Sequence, residues 1–239
     1  MSRPWCSVVV PAYNEQKRIV RALEKVCAFL SLKTEPWEVI VVNDGSSDGT
    51  SLVVDEFIRL HPQWRVRMLV FQPNHGKGYA CRQGVMSAEG HTVLLTDADL
   101  SSPIKECDKL LAALKEGADV AIGSRAVRSP GCDVRQTFKR RVAGRVFNVL
   151  VQGLLLPGLK DTQCGFKAFT REAARSLFGD QKLDGFSFDV EILYLARLRQ
   201  MKVREVAVMW SQDEDSRVSM LRDSLRMASD LFKIKALHR

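Results

Sequence analysis

The chain of 239 residues is 46% hydrophobic and carries a formal net charge of +8, a composition that favours a folded globular protein over a disordered segment. Its six cysteines form no C-x-x-C pair and its four histidines do not cluster, so the sequence indicates neither a disulfide framework nor a zinc site. It has no signal-peptide pattern, and no apolar run approaches the roughly 20 residues of a membrane span. We therefore expect one large domain with free thiols in a reducing, cytoplasmic compartment.

Five short apolar runs alternate with helical patterns along the first half of the chain. The runs cover residues 6–10, 37–42, 65–71, 92–95 and 118–122. The helical pattern after the first run places its apolar residues on one side: Ile19, Leu23, Val26, Cys27 and Leu30. Because strands and helices that alternate with short connections favour parallel pairing, the sequence predicts an α/β fold in which helices cover both faces of a mostly parallel sheet.

Polar signatures follow these strands, at the edge where open α/β sheets bind ligands. Pro11, Tyr13 and Glu15 provide a rigid turn, an aromatic ring and an acid, which suit a base and a ribose. Asp44 ends the second strand and can accept hydrogen bonds from a base amide. Residues 74–78 lack the spacing of a phosphate-binding loop, but Lys77 can still reach a phosphate.

Asp97 and Asp99 directly follow the fourth strand, with one residue between them. Two carboxylates at this spacing suit Mg²⁺ or Mn²⁺ carrying a diphosphate, because these ions keep water and phosphate as their remaining ligands. Taken alone, such a pair is more often a turn with a helix N-cap. The signatures at the neighbouring strand ends favour the metal site here.

The positive charge is concentrated between Arg125 and Arg145, where seven basic residues accompany one acid, Asp133. Such a cluster is typical of a site for phosphates, whether of nucleic acid, of anionic lipid or of a phosphorylated substrate. A nucleic-acid-binding module is not favoured, because the segment has no recognition motif and such a module has no use for Asp97 and Asp99.

Two further stretches have the pattern of amphipathic helices. Their apolar faces carry Phe138, Val142, Val146, Val149 and Leu150 in the first and Leu221, Leu225, Ala228, Leu231 and Phe232 in the second. Such helices pack against a core, or lie in the headgroup plane of a membrane with basic residues attracting anionic lipid. Both placements stay open, and a lipid substrate would favour the membrane.

Four motifs occur in order along the chain: PAYNE at 11–15, NDGSSDGT at 43–50, DAD at 97–99 and GSR at 123–125. Together they resemble the family 2 glycosyltransferases with the GT-A fold. The second half has KDTQCGFKAFTREAA at 160–174, FDVEILYLA at 188–196, VAVMW at 206–210 and SR at 216–217, and is similar to dolichyl-phosphate glucosyltransferases. The resemblance implies one domain, with a nucleotide-binding half at 1–125 and an acceptor-binding half at 126–239.

This resemblance implies an inverting, Mg²⁺- or Mn²⁺-dependent transfer of a hexose, with glucose from UDP-glucose favoured, to a polyprenyl phosphate at the cytoplasmic face of a membrane. The donor-binding residues would be Pro11, Ala12, Tyr13, Glu15, Asp44, Lys77, Asp97 and Ala98, with Asp97 and Asp99 holding the metal. The acceptor side would comprise Arg125, Lys139, Arg140, Arg141 and Asp189, and Arg217 would close on the phosphates. Catalysis would rest on Asp97, Asp99, Arg125 and Arg217.

The acceptor chemistry leaves two possibilities. A phosphate monoester is already an anion near neutral pH, because its second pKa is about 6, and so it needs cations rather than a base. A hydroxyl acceptor would need a general base, for which Asp189 or Glu191 is the candidate, although both also suit an acidic first turn of a helix over 188–198. GDP-mannose or an N-acetylhexosamine donor stays open. Asn43 departs from the Asp of many relatives, which leaves the base contact to Asp44, and residues 100–103 depart from the family pattern, which leaves the third metal ligand and the sugar specificity open.

Overall fold

The computed structural model describes residues 3–135, 137–211 and 220–238, without the side chains at 138–141, 143 and 220–226. The strands are β1 (Cys6–Ala12), β2 (Trp37–Asp44), β3 (Val66–Phe71), β4 (Thr92–Leu95), β5 (Val120–Ser124), β6 (Val134–Arg135), β7 (Lys167–Thr170), β8 (Val203–Ala207) and β9 (Trp210–Ser211). The helices are α1 (Ile19–Leu30), α2 (Thr50–Leu60), α3 (Lys77–Ser87), α4 (Cys107–Lys115), α5 (Phe138–Leu154), α6 (Arg171–Asp180), α7 (Phe188–Leu198) and α8 (Met220–Leu237).

A seven-stranded sheet forms the centre of the molecule, in the order β3-β2-β1-β4-β7-β5-β8. Its strands pair in parallel except β7, which runs antiparallel between β4 and β5. The predicted mostly parallel sheet is confirmed, and each of the five predicted strands is present. The sequence pattern missed β7 and β8. A separate ribbon pairs β6 with β9.

The central strands are apolar on both sides, as expected for a sheet covered on both faces. Val8 and Val10 belong to the core that contains α1, α2 and α4. Val9 belongs to the opposite core, which α3, α6 and α7 cover and to which α5 and α8 also contribute. The predicted helical covering of both faces is therefore confirmed, and the carboxyl ends of the parallel strands remain available for a site.

Four residues of the predicted apolar stripe of α5, Val142, Val146, Val149 and Leu150, are exposed, the last two at 66% and 45%, whereas Phe147 and Val151 pack into the core. In α8, Leu231 is buried and Phe232 is exposed. The side chains of Phe138, Leu221 and Leu225 are outside the described set. Within the described ranges, no helix combines the length and the apolar character needed to cross a membrane.

Candidate active site

Two loops at the carboxyl ends of β1 and β2 are joined by hydrogen bonds. The backbone N–H of Asn14 donates to Ser46 Oγ at 2.8 Å, and that of Glu15 donates to Thr50 Oγ1 at 2.8 Å. Asn14 adopts φ of 55°, a left-handed conformation that Asn tolerates better than most residues. Its Oδ1 accepts from the Ser47 N–H at 2.7 Å. The two loops are thus held together as one surface.

The residues predicted to hold the nucleoside differ in exposure along this surface. Ala12 is buried, Pro11 is partly buried, and Tyr13 presents its ring at 42% exposure. Glu15 forms an ion pair with Arg18 at the start of the next helix. The aromatic ring is therefore the most accessible of these predicted contacts.

Asp44 ends β2 and organises the loop that follows β3. Its buried carboxylate accepts hydrogen bonds from Asn74 Nδ2 at 2.9 Å and from the Gly76 N–H at 2.7 Å. The neighbouring Asn43 accepts from the Ser46 N–H at 3.1 Å through Oδ1. The Asn43 amide, at the position where many relatives have Asp, therefore shapes the turn after β2. Asp44 orders the loop that leads to Lys77.

Asp97 follows β4 and lies in contact with Lys77, at the N-terminus of α3. Lys77 Nζ is 2.6 Å from Asp97 Oδ1. Burial opposes the ionisation of Asp97, but the charges of Lys77, Lys167 and Arg125 outweigh it and lower its pKa. Gly165 packs so closely against this carboxylate that a Cβ there would overlap it. Asp97 is thus ionised and lies between the Lys77 ammonium group and the backbone of Gly165.

Asp99 accepts a hydrogen bond from the Ser101 N–H at 2.8 Å. Burial and the charge of Asp97 raise its pKa, so the two carboxylates repel each other. Ala98 between them is buried. Within the described residues no set of three or more His, Cys, Asp or Glu side chains forms a metal cluster. Two hard oxygen donors that repel each other fit a Mg²⁺ or Mn²⁺ ion whose other ligands are phosphate and water.

Arg125 follows β5 and is fixed by Asp161. Its Nε and Nη2 donate to the two carboxylate oxygens at 2.7 and 2.8 Å, and its backbone N–H also donates to Oδ2 at 2.9 Å. Burial disfavours the charge on Asp161, but Arg125 outweighs this and lowers the Asp161 pKa. The guanidinium also lies 5.3 Å from the centre of the Trp210 ring, a cation–π contact.

Asp189, at the start of α7, is buried against Lys167 of β7. Lys167 Nζ is 2.5 Å from Asp189 Oδ1 and donates to the Cys164 carbonyl at 2.5 Å. Both side chains are nearly inaccessible to solvent. Lys167 and Asp161 both lie in the motif at 160–174, but their roles depend on partners distant in sequence and were not predicted.

The carboxylate pair and Arg125 share one site. A small cleft is lined by Thr96, Asp97, Ser101, Ser102, Cys164, Gly165, Phe166 and Trp210. Asp97 lines it directly, whereas Arg125 packs on the ring of Trp210, which is one of the lining residues. The charge of Arg125 also acts on the ionisation of Asp97. The carboxylates and the guanidinium are therefore neighbours at this edge of the sheet.

A sequence model of glycosyl transferase family 2 matches residues 7–178. The chain belongs to this family. The dolichyl-phosphate beta-glucosyltransferase of Drosophila melanogaster is 40% identical over 239 residues, covering 95% of this chain and 73% of the relative. The enzyme of that name from Homo sapiens is 36% identical over 240 residues, covering 96% and 74%. The predicted family is confirmed.

Solved structures show the fold independently. Glucosyl-3-phosphoglycerate synthase from Mycobacterium tuberculosis, crystallised with Mn²⁺, UDP and glucosyl-3-phosphoglycerate, superposes with a TM-score of 0.70 at 19% identity. The match covers 97% of this chain and 78% of that chain. The GT-A fold expected for a family 2 glycosyltransferase is therefore confirmed.

The roles of the predicted site residues of this glycosyltransferase remain predictions, and some of these residues lie outside the described structure. Lys139, Arg140 and Arg141 belong to the first turn of α5, but their side chains are outside the described set. Arg217 lies outside the described residues. The structure brings together Lys77, Asp97, Asp99 and Arg125, and it places Asp189 in a buried ion pair beside them.

Proposed function

We propose that the chain transfers a hexose, with glucose from UDP-glucose favoured, to a dolichyl-type polyprenyl phosphate, and that the transfer inverts the anomeric centre to give a β-linked product. The names of the relatives that cover 95–96% of the chain support this donor sugar and acceptor. The observation that carries the proposal is the arrangement at the cleft. The acid that sequence offered as a base, Asp189, is already paired with Lys167, whereas the Arg125 guanidinium packs on Trp210, a residue that lines the cleft.

On the donor side, Asp97 and Asp99 would hold Mg²⁺ or Mn²⁺ together with the diphosphate. Bound there, the ion neutralises charge that develops on the departing nucleotide. Lys77 lies against Asp97, close enough to contribute a second positive charge beside the same phosphates. Pro11, Tyr13 and Glu15 would hold the nucleoside on the joined loops, with Asp44 ordering the adjacent turn.

On the acceptor side, Arg125 would position the incoming phosphate. A phosphate monoester carries its own negative charge, since its second pKa is about 6, so the protein has only to orient it. Asp161 holds the guanidinium by two hydrogen bonds and so fixes its direction. Lys139, Arg140 and Arg141 would extend this positive surface along α5, and Arg217 would close on the phosphates.

Transfer to a hydroxyl is the second candidate, and the geometry at Asp189 argues against it. A general base must reach the proton that it removes. Asp189 is only 5% exposed and its Oδ1 is held by Lys167. Glu191 is fully buried and accepts hydrogen bonds from the Lys182 and Leu183 N–H groups. These acids therefore support the structure of α7 and its neighbours rather than proton transfer.

The acceptor is a lipid, so the proposal includes a peripheral contact with the cytoplasmic face of a membrane. Val142, Val146 and Val149 form an exposed apolar row on α5, and the exposed Arg145 lies within it. This is the pattern of a helix that lies in the headgroup plane. The acceptor would then enter from the side of α5.

The test is a transfer assay with the full chain, Mn²⁺, polyprenyl phosphate in phosphatidylserine-containing vesicles and a panel of labelled donors: UDP-glucose, GDP-mannose and UDP-N-acetylglucosamine. We expect labelled lipid from UDP-glucose and a strong loss of product when EDTA removes the ion. A different preferred donor would correct the sugar. Absence of labelled lipid with all three donors would overturn the proposal.

A further inference from the structure

We propose that Glu205 of β8 is a positioning residue for Arg125. It holds the turn after β5 and the segment that carries Asp161, and so fixes the direction in which the guanidinium meets the acceptor phosphate. This inference rests on the proposed function and deepens it, because it assigns a residue to the placement of the acceptor. Glu205 lies just outside the sequence motifs, the nearest of which begins at Val206.

The Glu205 carboxylate accepts hydrogen bonds from three donors. Its Oε1 accepts from Ser124 Oγ at 3.0 Å and from the Asp161 N–H at 2.9 Å, and its Oε2 accepts from the Lys160 N–H at 2.8 Å. A carboxylate can serve three donors at once because its two oxygens offer about four lone-pair sites. Glu205 therefore joins β8 to two segments that are separate in sequence.

These two segments meet at Arg125. Ser124 is the last residue of β5 and directly precedes Arg125, and its Oγ also accepts from the Val127 N–H at 3.2 Å. Asp161 lies on the other side and accepts from both the backbone and the guanidinium of Arg125. Glu205 thus holds the backbone that carries Arg125 and also the acid that directs its side chain.

The segment around Asp161 depends on side chains for its place. In the ranges that the structure describes, residues 160–163 form no backbone-to-backbone hydrogen bond. Asp161 is only 7% exposed, and a buried N–H needs a partner because leaving it without one costs free energy. Glu205 supplies that partner for Asp161, so its removal should release the segment from β8.

The orientation of the guanidinium matters as well as its charge. Asp161 accepts from Nε and Nη2, so a phosphate would meet the remaining N–H groups of the planar fork. The Arg125 side chain keeps 23% exposure for such a contact. Because a displacement of about 1 Å in a positioning contact can cost on the order of 10²-fold in rate, transfer should respond to Glu205 through Ser124 and Asp161.

The experiment compares Glu205→Ala and Glu205→Gln with Arg204→Ala as the matched control. Arg204 is the preceding residue of β8, and its exposed side chain pairs with Glu116 at the end of α4. Transfer is measured while the concentrations of polyprenyl phosphate and of UDP-glucose are varied in turn. This separates the KM for the acceptor from the KM for the donor, a distinction that a general loss of structure would not produce.

We expect Glu205→Ala to raise the KM for polyprenyl phosphate by about tenfold or more, through lost hydrogen bonds to a charged group, and to leave the KM for UDP-glucose within about twofold. Glu205→Gln should rescue part of the acceptor affinity, because its one oxygen can still accept from Asp161 and Ser124. Arg204→Ala should match the wild type.

A second measurement follows Arg125 directly and needs no acceptor. In protein labelled with ¹⁵N at the arginine Nε atoms, the Arg125 signal is the Nε–H resonance that disappears in Arg125→Lys. Because this N–H donates to Asp161, its resonance reports whether the contact is kept. We expect the resonance to shift and broaden in Glu205→Ala and to stay in place in Arg204→Ala.

An Arg125 resonance that is unchanged in Glu205→Ala overturns the inference, whether or not the protein makes the lipid product. An equal rise of both KM values in a folded variant also overturns it, because that pattern indicates a general disturbance. If Glu205→Ala does not fold, Glu205→Gln is judged by the same two measurements. Absence of product in the wild type contradicts the proposed function instead, and the resonance then decides the role of Glu205.

Discussion

Asp99 is the acid of the site whose ionisation is most opposed by its surroundings. Burial and the charge of Asp97 raise its pKa above the ordinary value of 3.8. Because the raised pKa belongs to the folded state, ionisation of Asp99 lowers stability as pH rises through the interval between 3.8 and that pKa. At neutral pH the free protein therefore carries a repulsion that a divalent cation would relieve.

We expect Asp99→Asn to raise the melting temperature of the free protein at pH 7, because it removes the repulsion with Asp97. The same change should abolish most of the stabilisation by Mn²⁺ with UDP, and should lower transfer by on the order of 10²-fold or more. Differential scanning fluorimetry with and without Mn²⁺ measures both thermal effects. A variant that is destabilised, yet keeps its full response to Mn²⁺, would contradict a metal site at Asp99.

At Asp161 the dependence of stability on pH has the opposite sign. Arg125 holds its pKa below the ordinary 3.8 despite burial. The ion pair therefore contributes stability above that pH, and the contribution is lost as pH falls through the lowered pKa.

We expect Asp161→Asn to lower the free energy of unfolding by about 2–3 kcal/mol at pH 7, less than for a fully buried pair because Arg125 keeps some exposure. The difference from the wild type should shrink progressively below pH 4. Urea unfolding at pH 7 and in acid measures it. A deficit that is constant with pH would mean that the contact acts through packing rather than charge.

At the scale of elements, the segment between α6 and α7 supports the N-terminus of α3. The Tyr79 N–H donates to the Asp184 carbonyl at 3.2 Å, and Gln181 Nε2 donates to the Gly78 carbonyl at 2.9 Å. Glu191 in turn binds the backbone of this segment and lies 2.7 Å from His238. Glu191 of α7 and His238, just after α8, therefore support the segment that contacts the first turn of α3. That turn carries Lys77.

Gly78→Ala tests this support. A Cβ at position 78 would lie 2.6 Å from the Leu183 carbonyl oxygen, so we expect a loss of about 1–3 kcal/mol and weaker UDP binding through displacement of Lys77. Gly144→Ala in α5 is the matched control, because nothing lies within 4 Å of its Cβ, and it should stabilise the protein by up to about 1 kcal/mol. Equal effects of the two changes in chemical unfolding would contradict the proposed contact.

Some strands and site residues can be predicted from the sequence, and others cannot. The apolar runs of β1, β2, β4 and β5 predicted their strands because these strands are almost entirely buried, whereas the run of β3 predicted an edge strand in which Val70 is exposed. The strand β7 was missed because it begins with Lys167, and a lysine is acceptable there only because Asp189 of α7 neutralises it. Asp97 and Arg125 were found from local motifs, whereas Asp161 depends on a partner 36 residues away.

At the scale of the whole molecule, the proposed function requires a surface that meets a lipid acceptor. Sequence predicted an apolar stripe on α5 and left core packing and surface exposure as alternatives. The structure places Phe147 and Val151 in the core and leaves Val142, Val146, Val149 and Leu150 exposed. An exposed apolar row beside basic residues fits the interfacial placement.

We expect the double change Val146→Glu and Val149→Glu to leave folding and UDP-glucose binding intact, because both side chains are mostly exposed. Binding to anionic vesicles should fall by at least about tenfold, through lost apolar burial and added negative charge. Leu52→Glu, at a 75% exposed position on α2 beside the other core, is the control and should bind normally. Vesicle co-sedimentation measures all three proteins, and unchanged binding of the double variant would exclude α5 as the membrane contact.

The most direct test of the proposed chemistry is the rate of glucose transfer to polyprenyl phosphate by Asp189→Asn, measured across pH beside the wild type. Asparagine keeps an oxygen for Lys167, and no base is required, so the variant should stay within about tenfold of the wild type, a smaller loss than removal of a general base causes. Both rates should rise as the acceptor loses its second proton near pH 6. A fall of about 10²- to 10⁴-fold in a folded variant that still binds UDP-glucose would contradict transfer to a self-activated phosphate.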